Sequence, residues 1–151
     1  MPTAEEQIRQ LQTSTDAGER FTASLALAEG HNATGHQALL QALCSADFLS
    51  QLDREEDYDA PYVFLNVERI LGALVGNPIK SVQELLLALT RSMVFKADSR
   101  RVDALIKATV IITPPPARLI QFWRAHFKPG DGFTPLTLTA LVDNGHPAAI
   151  A

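Results

Sequence analysis

Two nearly identical heptapeptides constrain the fold of this chain more than any other feature. QALLQAL occupies residues 37–43 and QELLLAL occupies residues 83–89, so the two lie 46 residues apart. The match extends backwards at the same spacing, because Leu25 corresponds to Leu71 and a glycine follows each of them five residues later. A unit that recurs as helix, short break and second helix predicts helix pairs that stack, since no single pair can bury its apolar surface alone.

The later part of the chain contains a weaker echo of the same unit. LGALVGNP at 71–78 is similar to LTALVDNGHP at 138–147, and TPPP at 113–116 forms a comparable break between them. The alternative is that helices rich in leucine and alanine resemble each other by chance. Against this, the repeated unit is longer than the matching words, and it recurs about four times.

The apolar periodicity is helical almost throughout. We expect helix starts at capping boxes, in which two side chains satisfy free backbone amides, at 16–19, 34–37 and 81–84. A further cap is expected at Asp98 or Ser99. The β-branched run at 109–113 could form a buried strand, but we favour helix because the 3–4 spacing continues into it from Val102.

Further helices are expected from Pro61 to about residue 75, at 117–127, and from Thr134 to about Val142, with another beginning at His146. Residues 45–52 are expected to form one or two helical turns.

On the segments 25–43, 71–89 and 138–147, the chain resembles α-helical repeat proteins of the HEAT or armadillo type. This resemblance covers residues 17–151 and implies an all-α fold, a right-handed α-α superhelix (solenoid) of about four helix pairs with the last one incomplete. We therefore expect one repeat domain over 1–151. Residues 1–15 would be a flexible leader with a short helix at 5–12, and residues 45–60 an acidic segment between repeats.

Composition restricts the setting in which the chain works. Cys44 is the only cysteine, which excludes an intrachain disulfide and favours the cytoplasm. The N-terminus lacks the basic start and apolar run of a secretory signal, and no apolar stretch reaches 18 residues. The sequence therefore predicts a cytoplasmic protein without a membrane partner.

Charge is distributed unevenly along the chain. Residues 1–76 hold 12 acidic and 4 basic side chains, whereas residues 77–151 hold 5 acidic and 9 basic ones. Either this is an ordinary solvated surface, or the basic residues form a ridge across consecutive helices that binds acidic side chains or phosphates. The residues that we select for such a ridge are Arg100, Lys107, Arg118, Gln121, Arg124 and Lys128.

The sequence contains no pattern typical of catalysis or of metal binding. A metal pair at His31 and His36 is the weaker interpretation beside loop polarity, and Cys44 is interpreted as a small buried apolar residue. The acidic stretch DREEDYD at 53–59 lacks the glycine and the final glutamate of a calcium loop. We therefore expect no enzymatic activity, no metal and no cofactor.

The preferred function is a scaffold or protein-protein interaction module that binds a protein or peptide. One alternative is a nucleic-acid-binding HEAT-like domain, similar in fold to alkylpurine DNA glycosylases, that uses the basic residues of 91–128 together with Trp123. Another is a structural domain of a larger protein, because the chain ends at residue 151 after a single turn of a new helix.

Overall fold

The computed structural model describes residues 3–54, 66–112 and 114–126, and within these ranges the chain is all-helical. No β-strand occurs in them, which confirms the predicted all-α class. No helix in these ranges has the length and apolar content needed to cross a membrane. The α-helices are α1 Ala4–Thr13, α2 Ala17–Glu29, α3 Ala33–Leu43, α4 Ala46–Arg54, α5 Asn66–Val75, α6 Lys80–Leu89, α7 Ser99–Thr109 and α8 Ala117–His126, and a 3-10 helix spans Phe95–Ala97.

The two helices that carry the similar heptapeptides lie beside each other. α3 contains QALLQAL and packs against α6, which contains QELLLAL. The preceding helices, α2 and α5, also pack together, and α7 continues this series by packing against α5. α6 also packs against α7.

Equivalent leucines of the two heptapeptides occupy equivalent places in the core. Leu39 and Leu43 of α3 and Leu85 and Leu89 of α6 are at most 2% exposed. They belong to a single apolar cluster that extends from Leu11 in α1 to residues of α8. Equivalent leucines of the two similar heptapeptides are thus buried in the same core.

The expected leader contains a packed helix. α1 contacts both α2 and α3, and its Leu11 is fully buried. Arg20 of α2 also donates a hydrogen bond to the Leu11 carbonyl oxygen at 2.9 Å. The part of the leader from Thr3 to Ser14 therefore contains a helix that packs on α2 and α3.

The acidic segment that we expected over residues 45–60 begins as a helix, α4, which packs against α2, α3 and α5. Within it, Asp53 forms an ion pair with the largely buried Arg101 at 3.6 Å. Arg101 also donates to the carbonyl oxygens of Phe95 and Val94, at 2.7 and 3.3 Å. This arginine connects α4, the 3-10 helix and α7.

Two of the predicted helix starts are wrong. α3 begins after Asn32, whose side chain accepts a hydrogen bond from the Gly35 amide, so Thr34 lies inside the helix. α6 begins after Ile79, whose apolar side chain cannot cap the helix, and Ser81 lies inside the first turn, where its hydroxyl contacts His36 of α3. The caps at Asp16 and Asp98 are confirmed, since each accepts a hydrogen bond from an amide in the first turn. The second half of the box at 16–19 is wrong, because the Asp16 amide donates to the Ser14 hydroxyl, which in turn donates to Glu19.

The β-branched run at 109–113 is the point where α7 ends. The helix continues through Thr109, a turn follows, and Ile112 returns to the core. Thr109 stabilises this end because its hydroxyl lies 2.9 Å from the Leu105 carbonyl oxygen. The described part of the run forms no strand, but only Thr109 is helical, so the helix expected over 110–112 is wrong; Thr113 lies outside the described residues.

Several predictions lie outside the described residues. They concern the first turn expected after Pro61, Lys128, the acidic residues at 55–59, and the helices expected beyond residue 133, including the incomplete last pair.

Candidate binding surface

Three of the six residues selected from the sequence lie on one face of α8. Arg118, Gln121 and Arg124 are exposed and follow a spacing of three residues, which places them on the same side of a helix. The opposite side of α8 holds Leu119 and Trp123, both fully buried. α8 is therefore anchored through its apolar side and presents a basic face to solvent.

Arg118 has a basic neighbour that the sequence analysis did not select. Arg118 and Arg91 line one small pocket of about 40 Å³, together with Leu87, Thr90 and Pro116. Arg91 follows the last turn of α6, and that turn contains no basic side chain. Because a helix C-terminus carries partial negative charge, two arginines beside it are favourably placed.

A second basic side chain approaches α8 from the connection before α7. The ammonium group of Lys96 lies 6.0 Å from the centroid of the Phe122 ring, at the outer limit of a cation–π contact. The Phe122 ring in turn lies 4.9 Å from the ring of His126. We call Arg91, Lys96, Arg118 and Arg124 the α8 basic surface, and Arg91 and Lys96 join it only through the tertiary fold.

Arg100 is paired with the residue that caps its own helix. Its guanidinium donates to the Asp98 carboxylate at 3.1 Å, and its backbone amide donates to the same group at 2.8 Å. The side-chain hydrogen bond from Arg100 lowers the pKa of the Asp98 carboxyl, partial burial opposes this, and the backbone hydrogen bond and the charges of Arg100 and Arg101 add to the lowering. Arg100 is thus a partner of the α7 cap.

Lys107 lies beside a different part of the molecule. It lines a groove of about 220 Å³ between α5 and α7, opposite Glu68, with Gly72 and Ala104 in the groove wall. The structure therefore places Lys107 at the α5–α7 groove and Arg118 at the end of α6, and these are separate pockets. Lys128 is outside the described residues.

Trp123 is positioned for packing. Its side chain is fully buried, and its indole N–H donates a hydrogen bond to the Thr109 hydroxyl at 2.9 Å. The ring joins α8 to α7 and is not accessible for stacking on a base. The role of Trp123 in the nucleic-acid alternative stays a prediction, and the ring would have to leave the core to contact a base.

A polar cluster with two buried members, His36 and Asn77, joins the α2–α3 region to the α5–α6 region, and the sequence analysis missed it. We call Gly30, His36, Asn77 and Ser81 the turn cluster. Nε2 of His36 lies 2.8 Å from the Gly30 carbonyl oxygen, which only accepts, so Nε2 carries the hydrogen. In the neutral ring, Nδ1 then accepts from the Ser81 hydroxyl.

Asn77 completes this cluster from the turn between α5 and α6. Its side-chain nitrogen donates to the carbonyl oxygens of Ala28 and Gly30, at 2.9 and 2.7 Å. Both contacts cross between residues almost fifty positions apart in sequence. No local pattern could have revealed them, since each partner is unremarkable among its own neighbours.

The last candidates for metal binding or reactivity are His31 and Cys44. His31 is exposed, and Cys44 is half-buried against the core. Among the residues that the structure describes, no group of three or more histidine, cysteine or carboxylate side chains could hold a metal ion.

Comparison of the chain with protein-family models, with curated proteins and with solved structures gives no match.

Proposed function

We propose that the protein is an interaction module of the α-helical solenoid type, related in architecture to HEAT and armadillo repeats. The observation that carries the proposal is the serial packing of like helices, α2 against α5 against α7, and α3 against α6. Helices packed in series leave the outer side of each row exposed to solvent, and extended surfaces of this kind bind proteins and peptides. The two grooves between neighbouring helices, one at α5–α7 and one at α3–α6, agree with this arrangement.

We further propose that the α8 basic surface binds an acidic segment of a partner protein. Arg91, in the turn after α6, and Arg118 of α8 line one pocket, so a single carboxylate can receive hydrogen bonds from both. Leu87, half-buried in the wall of the same pocket, offers an apolar contact beside the charges. The positive charges of this surface favour an acidic partner, because charges of opposite sign meet across an interface and set its specificity and association rate.

The test is a titration of the protein with a labelled peptide of eight glutamates interrupted by one leucine, followed by fluorescence anisotropy. We expect binding at low salt that weakens as salt rises, because exposed charges are screened over about 10 Å at 0.1 M ionic strength. Arg118→Glu should weaken binding by about tenfold or more, which corresponds to about 1.4 kcal/mol.

Lys107→Glu is the matched control, because it reverses one exposed lysine at the α5–α7 groove and should leave peptide binding unchanged. Equal losses in both variants would show that only net charge matters and would contradict the α8 site. A duplex DNA of the same charge should bind more weakly than the peptide, and tighter DNA binding that Arg118→Glu abolishes would favour the nucleic-acid alternative instead.

A further inference from the structure

The α3–α6 groove contains a serine that is hydrogen-bonded to a histidine. The groove has a volume of about 170 Å³, and its lining includes His36 and Leu40 of α3 and Ser81, Glu84 and Leu85 of α6. Nδ1 of His36 lies 2.5 Å from the Ser81 hydroxyl, so this hydrogen bond connects the two walls of the groove. Ser81 is half-buried, whereas His36 is only 1% exposed. The serine is therefore the member of the pair that is more accessible to solvent.

A third group fixes the protonation of the histidine ring. Nε2 of His36 lies 2.8 Å from the Gly30 carbonyl oxygen, so Nε2 keeps the hydrogen and Nδ1 is the basic nitrogen of the neutral ring. Asn77 donates to the same carbonyl oxygen at 2.7 Å and holds it in place. Nδ1 is the atom that faces Ser81. A nucleophile, a base and a group that orients the base are the parts of an activated serine.

Two helix ends are placed to stabilise the charges that form when such a serine attacks a carbonyl carbon. Gly30 is the C-cap of α2, and this negative helix end, with no basic side chain in its last turn, stabilises a protonated His36. Ser81 lies in the first turn of α6, which has no side-chain cap. The helix supplies no acceptor for the amides of Lys80 and Ser81, so these donors can stabilise an oxyanion.

We propose that the α3–α6 groove is an esterase site in which Ser81 is the nucleophile and His36 is the general base. Oγ of Ser81 bonds to the carbonyl carbon of the ester, and its proton passes to Nδ1 of His36. The bond from that carbon to the alcohol oxygen then breaks, and the alcohol leaves with the proton from Nδ1. The acyl group remains on Ser81.

A water molecule completes the reaction by the same route in reverse. Its oxygen bonds to the acyl carbon while one of its protons passes to Nδ1 of His36. The bond from the acyl carbon to Oγ of Ser81 then breaks, and Oγ takes that proton. The carboxylic acid is released, and both side chains return to their starting states.

The lining of the groove restricts the substrate to a small ester without negative charge. Leu40 and Leu85 offer apolar contacts to a short acyl group. Glu84 is exposed in the same lining and repels a carboxylate. This activity goes beyond the proposed function, since it uses no residue of the α8 basic surface. Sequence motifs did not reveal it, because His36 and Ser81 lie 45 positions apart.

The experiment is a reaction of the full chain with an alkyl fluorophosphonate, which bonds irreversibly to activated serines, followed by intact-mass measurement and peptide mapping. We expect a single label on Ser81. The same chain should hydrolyse p-nitrophenyl acetate faster than buffer alone, as measured by the release of p-nitrophenolate.

Three variants assign the roles. Ser81→Ala should remove both the label and the hydrolysis, whereas Ser45→Ala, the matched control, should change neither, because Ser45 is also a half-buried serine at the start of a helix. His36→Gln should slow the labelling by about a hundredfold or more, because glutamine cannot take the proton. Circular dichroism shows whether this variant, at a buried position, keeps its fold.

The proposal is overturned if the label is absent or lies on another residue, if Ser81→Ala hydrolyses the ester at the unchanged rate, or if folded His36→Gln is labelled as fast as the original chain. In these cases the contact between Ser81 and His36 only joins α3 to α6. Binding of the acidic peptide without esterase activity would leave the proposed function intact. Conversely, esterase activity without peptide binding would contradict only the α8 site.

Discussion

α3 and α6 carry the same heptapeptide pattern and sit side by side, yet they begin in different ways. Each uses leucines 46 positions apart to fill the same core. α3 starts with Asn32 as a cap, whereas α6 starts without one and sends Ser81 to His36 of α3. The middle of a repeat is thus restrained by burial, while its ends are free to acquire different contacts.

The largest expected effect comes from the shared core. Leu39→Ala and Leu85→Ala should each lower the free energy of unfolding by about 2–5 kcal/mol, because both side chains are buried and a cavity would remain. Urea unfolding followed by circular dichroism measures both. The neighbouring pair sharpens the comparison, since Leu40 is half-buried and Leu86 is fully buried, so Leu40→Ala should cost less than Leu86→Ala.

The next effect concerns the hydrogen bond between His36 of α3 and Ser81 of α6. His36→Ala should cost about 1–3 kcal/mol of stability, because the buried imidazole and its two partly buried hydrogen bonds are lost. A double-mutant cycle with Ser81→Ala should give a coupling energy of about 0.5–1.5 kcal/mol. Strict additivity of the two single changes would show that this hydrogen bond does not join the helix pairs in solution.

Helix starts provide a smaller effect that separates the observed cap from the predicted one. Asn32→Ala should lower stability by about 1 kcal/mol, because the Gly35 amide loses its acceptor. Thr34→Ala, the matched control, should change stability by no more than about 0.5 kcal/mol, since Thr34 is exposed inside the helix. The opposite ranking in thermal unfolding would restore the capping box expected at 34–37.

Substitution of Gly72 in α5 should increase the stability of the protein. Gly72 of α5 corresponds, 46 positions earlier, to Ala26 of α2. Gly72→Ala should raise the free energy of unfolding by about 0.5–1 kcal/mol, because the new methyl group meets no atom within 4 Å and alanine favours helix. A loss of stability on urea unfolding would mean that the groove wall requires glycine.

The smallest expected effect is a difference in pH dependence between two caps. The folded-state pKa of Asp98 is lowered from its usual value of 3.8, mainly by the hydrogen bond from Arg100. Its contribution is therefore present above about pH 4 and is lost as the pH falls through the folded-state pKa. Asp98→Asn should flatten the acid limb of the stability profile, whereas replacement of the neutral cap, Asn32→Ala, should lower the profile without changing that limb.

The sequence predicted the helical class and the positions of most helix interiors. Local spacing was enough to predict them, because apolar residues three or four positions apart lie on one face of a helix, and that face is buried whichever element packs against it. Leu39 and Leu85, at most 2% exposed, are examples. It failed at two helix starts, where Thr34 and Ser81 fit a capping pattern but Asn32 and Ile79 precede the first turn. A short polar side chain has several possible partners, and its choice depends on what lies nearby in three dimensions.

The sequence also predicted only part of the candidate binding surface. The basic face of α8 followed from the spacing of Arg118, Gln121 and Arg124, because a helix places such residues together regardless of its neighbours. The approach of Arg91 and Lys96 to that face, and the convergence of Asn77, Gly30 and His36, required the packing of one helix pair on the next. The sequence by itself determined which faces are apolar and which are charged, through periods of a few residues. Only the tertiary structure decided which distant polar atoms meet, because hydrogen bonds act over about 3 Å and depend on contacts that no local period encodes.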